Sequence, residues 1–258
     1  ELLLLTHNIF YIFIALLSVI PIIIIVYIDH LSKFLFTIPF VVNTRIRRII
    51  SENLLIIFFL PLNIFIRFFN LRWYSLIIAD ELNLVSRLDK ISFAGDPTSS
   101  YFPTILLTKI FFFINSFPEY RYITATMSIF SLLFIYLTVK MLFNDNKKTF
   151  LVLMLLTFLH TFLIITRLFV VDWSDAFFLS LILFLYLKMV KTSNNIFLIP
   201  ISISMALGLN NHGTIIYFVI PFLGWLFYLF LKARIKLDFY FLLSIYLFSI
   251  LLIPFILN

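Results

Sequence analysis

The stretch Ile66–Pro103, IRFFNLRWYSLIIADELNLVSRLDKISFAGDPTSSYFP, decides how the chain is read. The sequence around it is almost continuously apolar, and here acids, bases, aromatics and prolines gather at once. At its centre Asp80 and Glu81 stand side by side, after the mostly apolar run Ser75–Ala79 and roughly a dozen residues past the exit of a helix ending near Ile66. Two adjacent carboxylates at a membrane surface can supply a general base and a second group that orients or tunes it. An isolated Asp-Glu pair is more often two solvated charges in a loop, so the surrounding chain has to decide.

The composition makes that surrounding a membrane. Of 258 residues, 63% are hydrophobic and 12% charged, with a mean hydropathy of +1.14, more apolar surface than a water-soluble domain can hide. Apolar runs of about 14 to 22 residues recur, and the longer ones suffice to cross a ~30 Å hydrocarbon core as helices. The runs are continuous rather than alternating, which excludes a β-barrel. Cysteine is absent, so the chain has neither disulfides nor thiolate metal sites. The net charge of +7 is spread between apolar runs instead of forming one patch, which argues against nucleic acid and for membrane topology. The chain opens on Glu1 with no signal-peptide layout and is expected to be a piece of a longer or processed protein. Its 35 Phe against 4 Gly fit compositional bias and carry no functional signal of their own.

Taken in order, a first span is expected over Ile9–Ile28, and the run Phe34–Val42 is too short to cross alone. Residues 1–42 are therefore read as an N-terminal membrane segment and 43–258 as the main transmembrane domain, itself expected to be truncated. Arg45, Arg47 and Arg48 precede the span Asn53–Ile66 and mark a cytoplasmic end by the positive-inside rule. The span then exits on the other side near Trp73 and Tyr74, which suit the headgroup belt, and delivers Asp80 and Glu81 outside.

Further spans are expected over Tyr122–Phe143, Leu151–Ile165, Phe177–Val190, Ile196–Leu209, Thr214–Leu231 and Phe239–Leu257. The turns Asn144–Lys148, Lys188–Asn195 and Lys232–Lys236 are basic, and the turns between them, Arg167–Asp175 and Asn210–Gly213, are not. Only if Phe102–Phe117 does not cross do all three basic turns fall on the side of the Arg45 cluster. It is therefore expected to lie as an interfacial helix with Pro103 near its start. Asp80, Glu81, Asp89, Asp96, Glu119, Asp172 and Asp175, seven of the chain's twelve acids, then share the extracytoplasmic face. The fold class expected is all-α: a polytopic transmembrane helix bundle whose extracytoplasmic first loop carries juxtamembrane helices.

Several features follow one another in a fixed order. Arg67–Leu71 near a span exit is followed by Asp80-Glu81, then by Gly95-Asp96 and Tyr101-Phe102-Pro103 opening an apolar run. Glu119-Tyr120-Arg121 leads into a long span, Arg167–Asp172 precedes Phe177-Phe178, and Gly208–Gly213 forms a small-residue turn carrying His212. This order resembles the GT-C superfamily of membrane glycosyltransferases, in particular the branch of protein O-mannosyltransferases and aminoarabinose transferases, over about Leu54–Leu231. The family often has His-Pro-Pro or Pro-Pro where this chain has Tyr101-Phe102-Pro103, and Lys where His212 stands.

The resemblance implies transfer of a sugar from a polyprenyl-phosphate donor to an extracytoplasmic acceptor: a protein, lipid or glycan. The enzyme would be a multi-pass protein of the cell membrane, or lumenal in a eukaryote. Asp80 is the expected general base, with Glu81 and Asp172 as further acids. Arg121, Arg167, Lys109 and His212 are the expected partners of the departing phosphate, Arg being the better clamp because its planar fork binds two oxygens. Tyr101, Trp73 and Asp96 are expected to line the substrate. Each has a plainer reading: an interface-snorkelling cation for Arg121 and Arg167, a hydrogen-bonded turn residue for His212, an ion pair with Arg167 for Asp172, and a capping residue for Asp96. Asp80 and Asp172 can share a divalent ion, but no obligatory metal or other cofactor is expected. A non-catalytic membrane subunit is the alternative, and a transporter is disfavoured because the helices lack paired Gly/Pro interruptions.

Overall fold

A computed structural model describes residues 59–69, 120–159, 173–232 and 235–257, and every regular element among them is helical. The segment 1–42 and the expected interfacial helix Phe102–Phe117 lie outside the described residues. The described helices are α1 (Phe59–Phe68), α2 (Arg121–Phe143), α3 (Asn146–Phe158), α4 (Trp173–Thr192), α5 (Leu198–Asn211), α6 (Ile216–Leu231) and α7 (Phe239–Leu257). Two stretches among them, Arg121–Phe143 and Gly213–Leu231, are long and apolar enough to cross a membrane.

The helix ends follow local chemistry. After α2 the chain turns at Asn144, whose φ of 48° is the left-handed value that Asn tolerates better than most residues. Asp145 then caps α3, its side chain accepting from the Lys148 N–H at 3.3 Å, while the Thr149 hydroxyl donates to the Asp145 carbonyl at 2.7 Å. The basic turn expected over Asn144–Lys148 is thus shorter than its sequence suggests, because Asn146–Lys148 already form the first turn of α3.

Hydroxyls within the helices bond back to their own backbone. Thr126 donates to Tyr122 O at 2.7 Å, Ser128 to Ala125 O at 2.7 Å, Ser131 to Met127 O at 3.0 Å and Ser180 to Phe177 O at 2.9 Å. This local satisfaction lets an apolar helix carry hydroxyls where no water can reach them.

The chain divides into two compact units, Glu1–Leu76 with Val139–Ile164, and Ile77–Thr138 with Ile165–Asn258. In the first, Phe59 packs edge-on against Phe150 with ring centroids 5.8 Å apart. In the same unit, the Thr157 hydroxyl of α3 lies 2.9 Å from Asn63 Oδ1 and 2.8 Å from Leu153 O, its one hydrogen shared between the two, and Asn63 Oδ1 also accepts from Nη1 of the buried Arg67. Asn63 completes the set by donating Nδ2 to Phe59 O at 3.0 Å.

The second unit is built around α5. Its core holds Phe178 and Ile182 of α4, Ile201, Met205 and Leu209 of α5, and Val219 and Phe222 of α6, all buried. A short 3-10 turn, Asn195–Phe197, joins α4 to α5, so the two helices run antiparallel. By contrast, α5 and α7 run in the same direction. Asn195 meets Asp238 at 2.9 Å across 43 residues, and Asn210 donates to Leu251 O at 2.5 Å across 41, so the offset is nearly constant along both. Gly208 allows the close approach of α5 to its neighbours: a Cβ there would stand 3.3 Å from Phe178 Cβ and 2.7 Å from Ile215 Cδ1. Much of α6 faces outward with large apolar side chains, Tyr217, Ile220 and Phe227 among them. In a lipid-embedded helix such residues replace a water-facing polar stripe.

Candidate functional site

One end of the second unit brings together an acid, an imidazole and a hydroxyl. Asp175 stands in the first turn of α4, where a negative charge is favoured by the helix dipole. His212 closes α5 as its C-terminal cap: the backbone is extended there (φ −148°, ψ 119°) and its N–H bonds to Gly208 O at 2.9 Å. The tight seat of Gly208 against α4 thus sets the depth at which the His212 turn emerges. Thr214 follows in the 3-10 turn Gly213–Ile215 that opens into α6.

His212 Nδ1 lies 3.1 Å from Asp175 Oδ1 and 3.0 Å from Oδ2. The Thr214 hydroxyl lies 2.6 Å from Asp175 Oδ2 and 2.9 Å from His212 Nδ1. An ionised carboxylate only accepts, so both neighbours must donate to it. Thr214 has a single hydrogen, and the shorter contact directs it to Asp175. Nδ1 of His212 therefore carries a hydrogen as well, which fixes the tautomer of the neutral ring. When Nε2 is also protonated, the pair becomes a salt bridge, with both side chains about a quarter exposed, 22% and 27%. A ring held in this way has a set orientation and can present a hydrogen-bond donor or a positive charge to an anion.

Of the residues expected at the site, two are described. His212 sits in this cluster. Arg121 opens α2 with 1% of its surface exposed, a burial that an interface-snorkelling side chain would not show. Asp80, Glu81, Asp96, Tyr101, Trp73, Lys109, Arg167 and Asp172 lie outside the described residues, and so does the expected meeting of Asp80 with Arg167. Asp175 was expected only as one of seven outer acids, with Asp172 preferred for its closeness to Arg167 in sequence. Its partnership with His212 was nevertheless signalled, because the two stand at equal sequence distance on either side of the turn Ser193–Asn194. Among the described residues no group of three or more His, Asp or Glu is placed to hold a metal ion.

Compared with known families, residues 97–257 match the model of the family described as dolichyl-phosphate-mannose-protein mannosyltransferase. The match spans more than half of the chain. The chain belongs to that family. Comparison with curated proteins and with solved structures gives no match. Members of the dolichyl-phosphate-mannose-protein mannosyltransferase family are integral membrane glycosyltransferases that draw on a polyprenyl-phosphate-linked sugar. The matched region takes in Tyr101, Lys109, Arg121, Arg167, Asp172, Asp175 and His212, and begins after Asp80, Glu81 and Asp96. Membership in the mannosyltransferase family thus rests on the part of the chain that carries the His212 cluster.

Proposed function

We propose that the full protein is a polytopic membrane glycosyltransferase that moves a sugar from a polyprenyl-phosphate carrier to an extracytoplasmic acceptor. The observation that carries this reading is the family match over residues 97–257, which contain the fixed His212–Asp175 pair. The carrier's tail lies in the bilayer and its phosphosugar at the interface, so the chemistry has to happen just above the membrane. The carboxylate of Asp80 takes the proton of the acceptor hydroxyl, and the acceptor oxygen attacks the anomeric carbon. The bond from that carbon to the phosphate oxygen breaks, and polyprenyl phosphate leaves with the electron pair. Arg121, Arg167, Lys109 and His212 stabilise the charge on the leaving phosphate, as cations positioned where charge develops do. Asp175 and Thr214 hold the His212 ring in place for that contact, while Glu81 and Asp172 are further acids of the site, and Tyr101, Trp73 and Asp96 line it.

The test is transfer itself. Membranes containing the full-length protein are incubated with a panel of radiolabelled polyprenyl-phosphate sugars, and label in the acceptor fraction is followed. Removing a general base typically costs ~10²- to 10⁴-fold, so Asp80→Asn should nearly abolish transfer while donor binding persists. Transfer undiminished in Asp80→Asn refutes the base. Absence of transfer from every donor would favour a non-catalytic subunit.

A further inference from the structure

At the end of the second unit remote from His212, two cavities share the buried Ile235 as a wall. The first, of about 810 Å³, opens between the last turns of α4 and α6 and the start of α7. Part of its wall is polar, with Asn194, Asn195 and Lys236, and part is aromatic, with Tyr186, Trp225 and Tyr240. The second, of about 350 Å³, is an apolar cleft between α5, α6 and α7, walled by residues such as Leu226, Phe230, Phe241 and Phe248. Ile235 lines both cavities, after which Lys236 belongs to the polar one and Leu237 to the apolar one.

The polar cavity is held in shape. Trp225 Nε1 donates to the Tyr186 hydroxyl at 2.5 Å, and Asn195 Nδ2 donates to Lys236 O at 3.0 Å. Asp238 is the one acid at this end among the described residues. Its carboxylate is engaged, accepting from Asn195 Nδ2 at 2.9 Å and from the Phe241 N–H at 2.9 Å as the cap of α7. Lys188, Lys191 and Lys232 are exposed around the same end, so the cavity sits in a positive field. An amphipathic Trp–Tyr rim is what a protein places at headgroup depth, and lysines beside it attract anionic lipid. A small anion alone would use the polar cavity and leave the apolar cleft unfilled. A ligand that fills both needs a charged head and a hydrocarbon tail.

We propose that these cavities bind one molecule of an anionic glycerophospholipid, its phosphate beside Lys236 and the Trp225–Tyr186 rim, with an acyl chain in the cleft between α5, α6 and α7. The site lies at the opposite end of α4 from His212, a helix of 20 residues and roughly 30 Å at ~1.5 Å per residue. It is therefore separate from the sugar-transfer chemistry and depends only on the membrane placement that the family brings.

The test uses the full-length protein in mixed micelles, titrated with phosphatidylglycerol and separately with phosphatidylcholine, with retained lipid counted by native mass spectrometry. Phosphatidylglycerol should bind more tightly than phosphatidylcholine. Lys236→Glu should raise the phosphatidylglycerol Kd by about tenfold or more and leave phosphatidylcholine unchanged. Ser202→Phe, which fills the apolar cleft, should weaken phosphatidylglycerol too, with Leu226→Trp as the substitute if that variant fails to fold. Both variants are compared with the parent by lipid-free Tm. Equal affinity for the two lipids, or a Kd untouched by both kinds of variant, overturns the proposal. So does glycerol phosphate competing as well as the intact lipid, which would mark a simple anion site. Displacement by polyprenyl phosphate at lower concentration would mark a carrier site and overturn it equally. None of these readouts measures transfer, so a failed Asp80→Asn assay and a failed lipid titration cannot be mistaken for one another.

Discussion

The α4–α5 hairpin has two unlike ends. At the Asp175 end, two side chains, the His212 ring and the Thr214 hydroxyl, converge on one carboxylate at 2.6 to 3.1 Å. At the Ser193 end a cavity opens among Asn194, Asn195 and Lys236, and the charged side chains around it are lysines and the engaged Asp238. The first arrangement orders one ring; the second offers space and field. Both ends involve α4, but its partners differ: the His212 turn and the 3-10 turn Gly213–Ile215 at one end, the last turns of α6 and the start of α7 at the other.

The all-or-none test of this contrast is sidedness. The native chain has no cysteine, so single substitutions report cleanly. Thr214→Cys and Lys236→Cys should react with a membrane-impermeant maleimide from opposite faces, and labelling of both from one face would collapse the comparison. Next in size is activity. Loss of a hydrogen bond to a charged group costs about 1.5 to 3 kcal/mol, so His212→Ala should lower kcat/KM roughly 10- to 100-fold. Asp175→Asn should cost less, about tenfold, since the ring remains but loses its fixed charge partner. Lys236→Ala at the other end should leave kcat/KM within about twofold, outside the reach of transition-state contacts. A loss in Lys236→Ala equal to that in His212→Ala would make both ends part of one site.

The smallest effect concerns the packing beneath the His212 turn. The Cδ1 of Ile215 can swing away from a new methyl at Gly208, but Phe178 Cβ cannot, and has to yield by a few tenths of an ångström. Gly208→Ala should therefore destabilise by about 1 to 3 kcal/mol, read as a lowered denaturation midpoint, with activity falling no more than stability. A variant as stable as the parent would show that α5 does not need this close seat.

The helices were legible because their ends are written in charged and turn-forming residues. The runs ending at Phe143 and Leu231 stop where apolar sequence stops. The turn between α2 and α3 was read too long, because Lys147 and Lys148 look like loop residues until Asp145 caps the helix that contains them. His212 was legible as a basic residue in a turn otherwise lacking charge. Asp175 was passed over for Asp172 because nearness to Arg167 in sequence was weighed instead of hairpin pairing, which places equal distances from a turn side by side. The Lys236 cavity could not be read at all, since its walls come from α4, the Ser193 turn, α6 and α7, and no local pattern joins them.

The contact between Asn63 and Thr157 spans 94 residues, and that separation is also an interval of time. At about 5 to 20 residues per second of synthesis, Thr157 is added roughly 5 to 20 s after Asn63. Over that interval an amide in an apolar helix, with no partner from another segment, would bear the cost of an unsatisfied polar group in hydrocarbon. Asn63 carries its provision with it: Phe59 O takes its Nδ2 hydrogen and Arg67 supplies a donor to its Oδ1, both within α1. Thr157 therefore arrives at an amide whose own donor and acceptor are already served within α1, and Asn63 need not hold an open hydrogen bond while it waits.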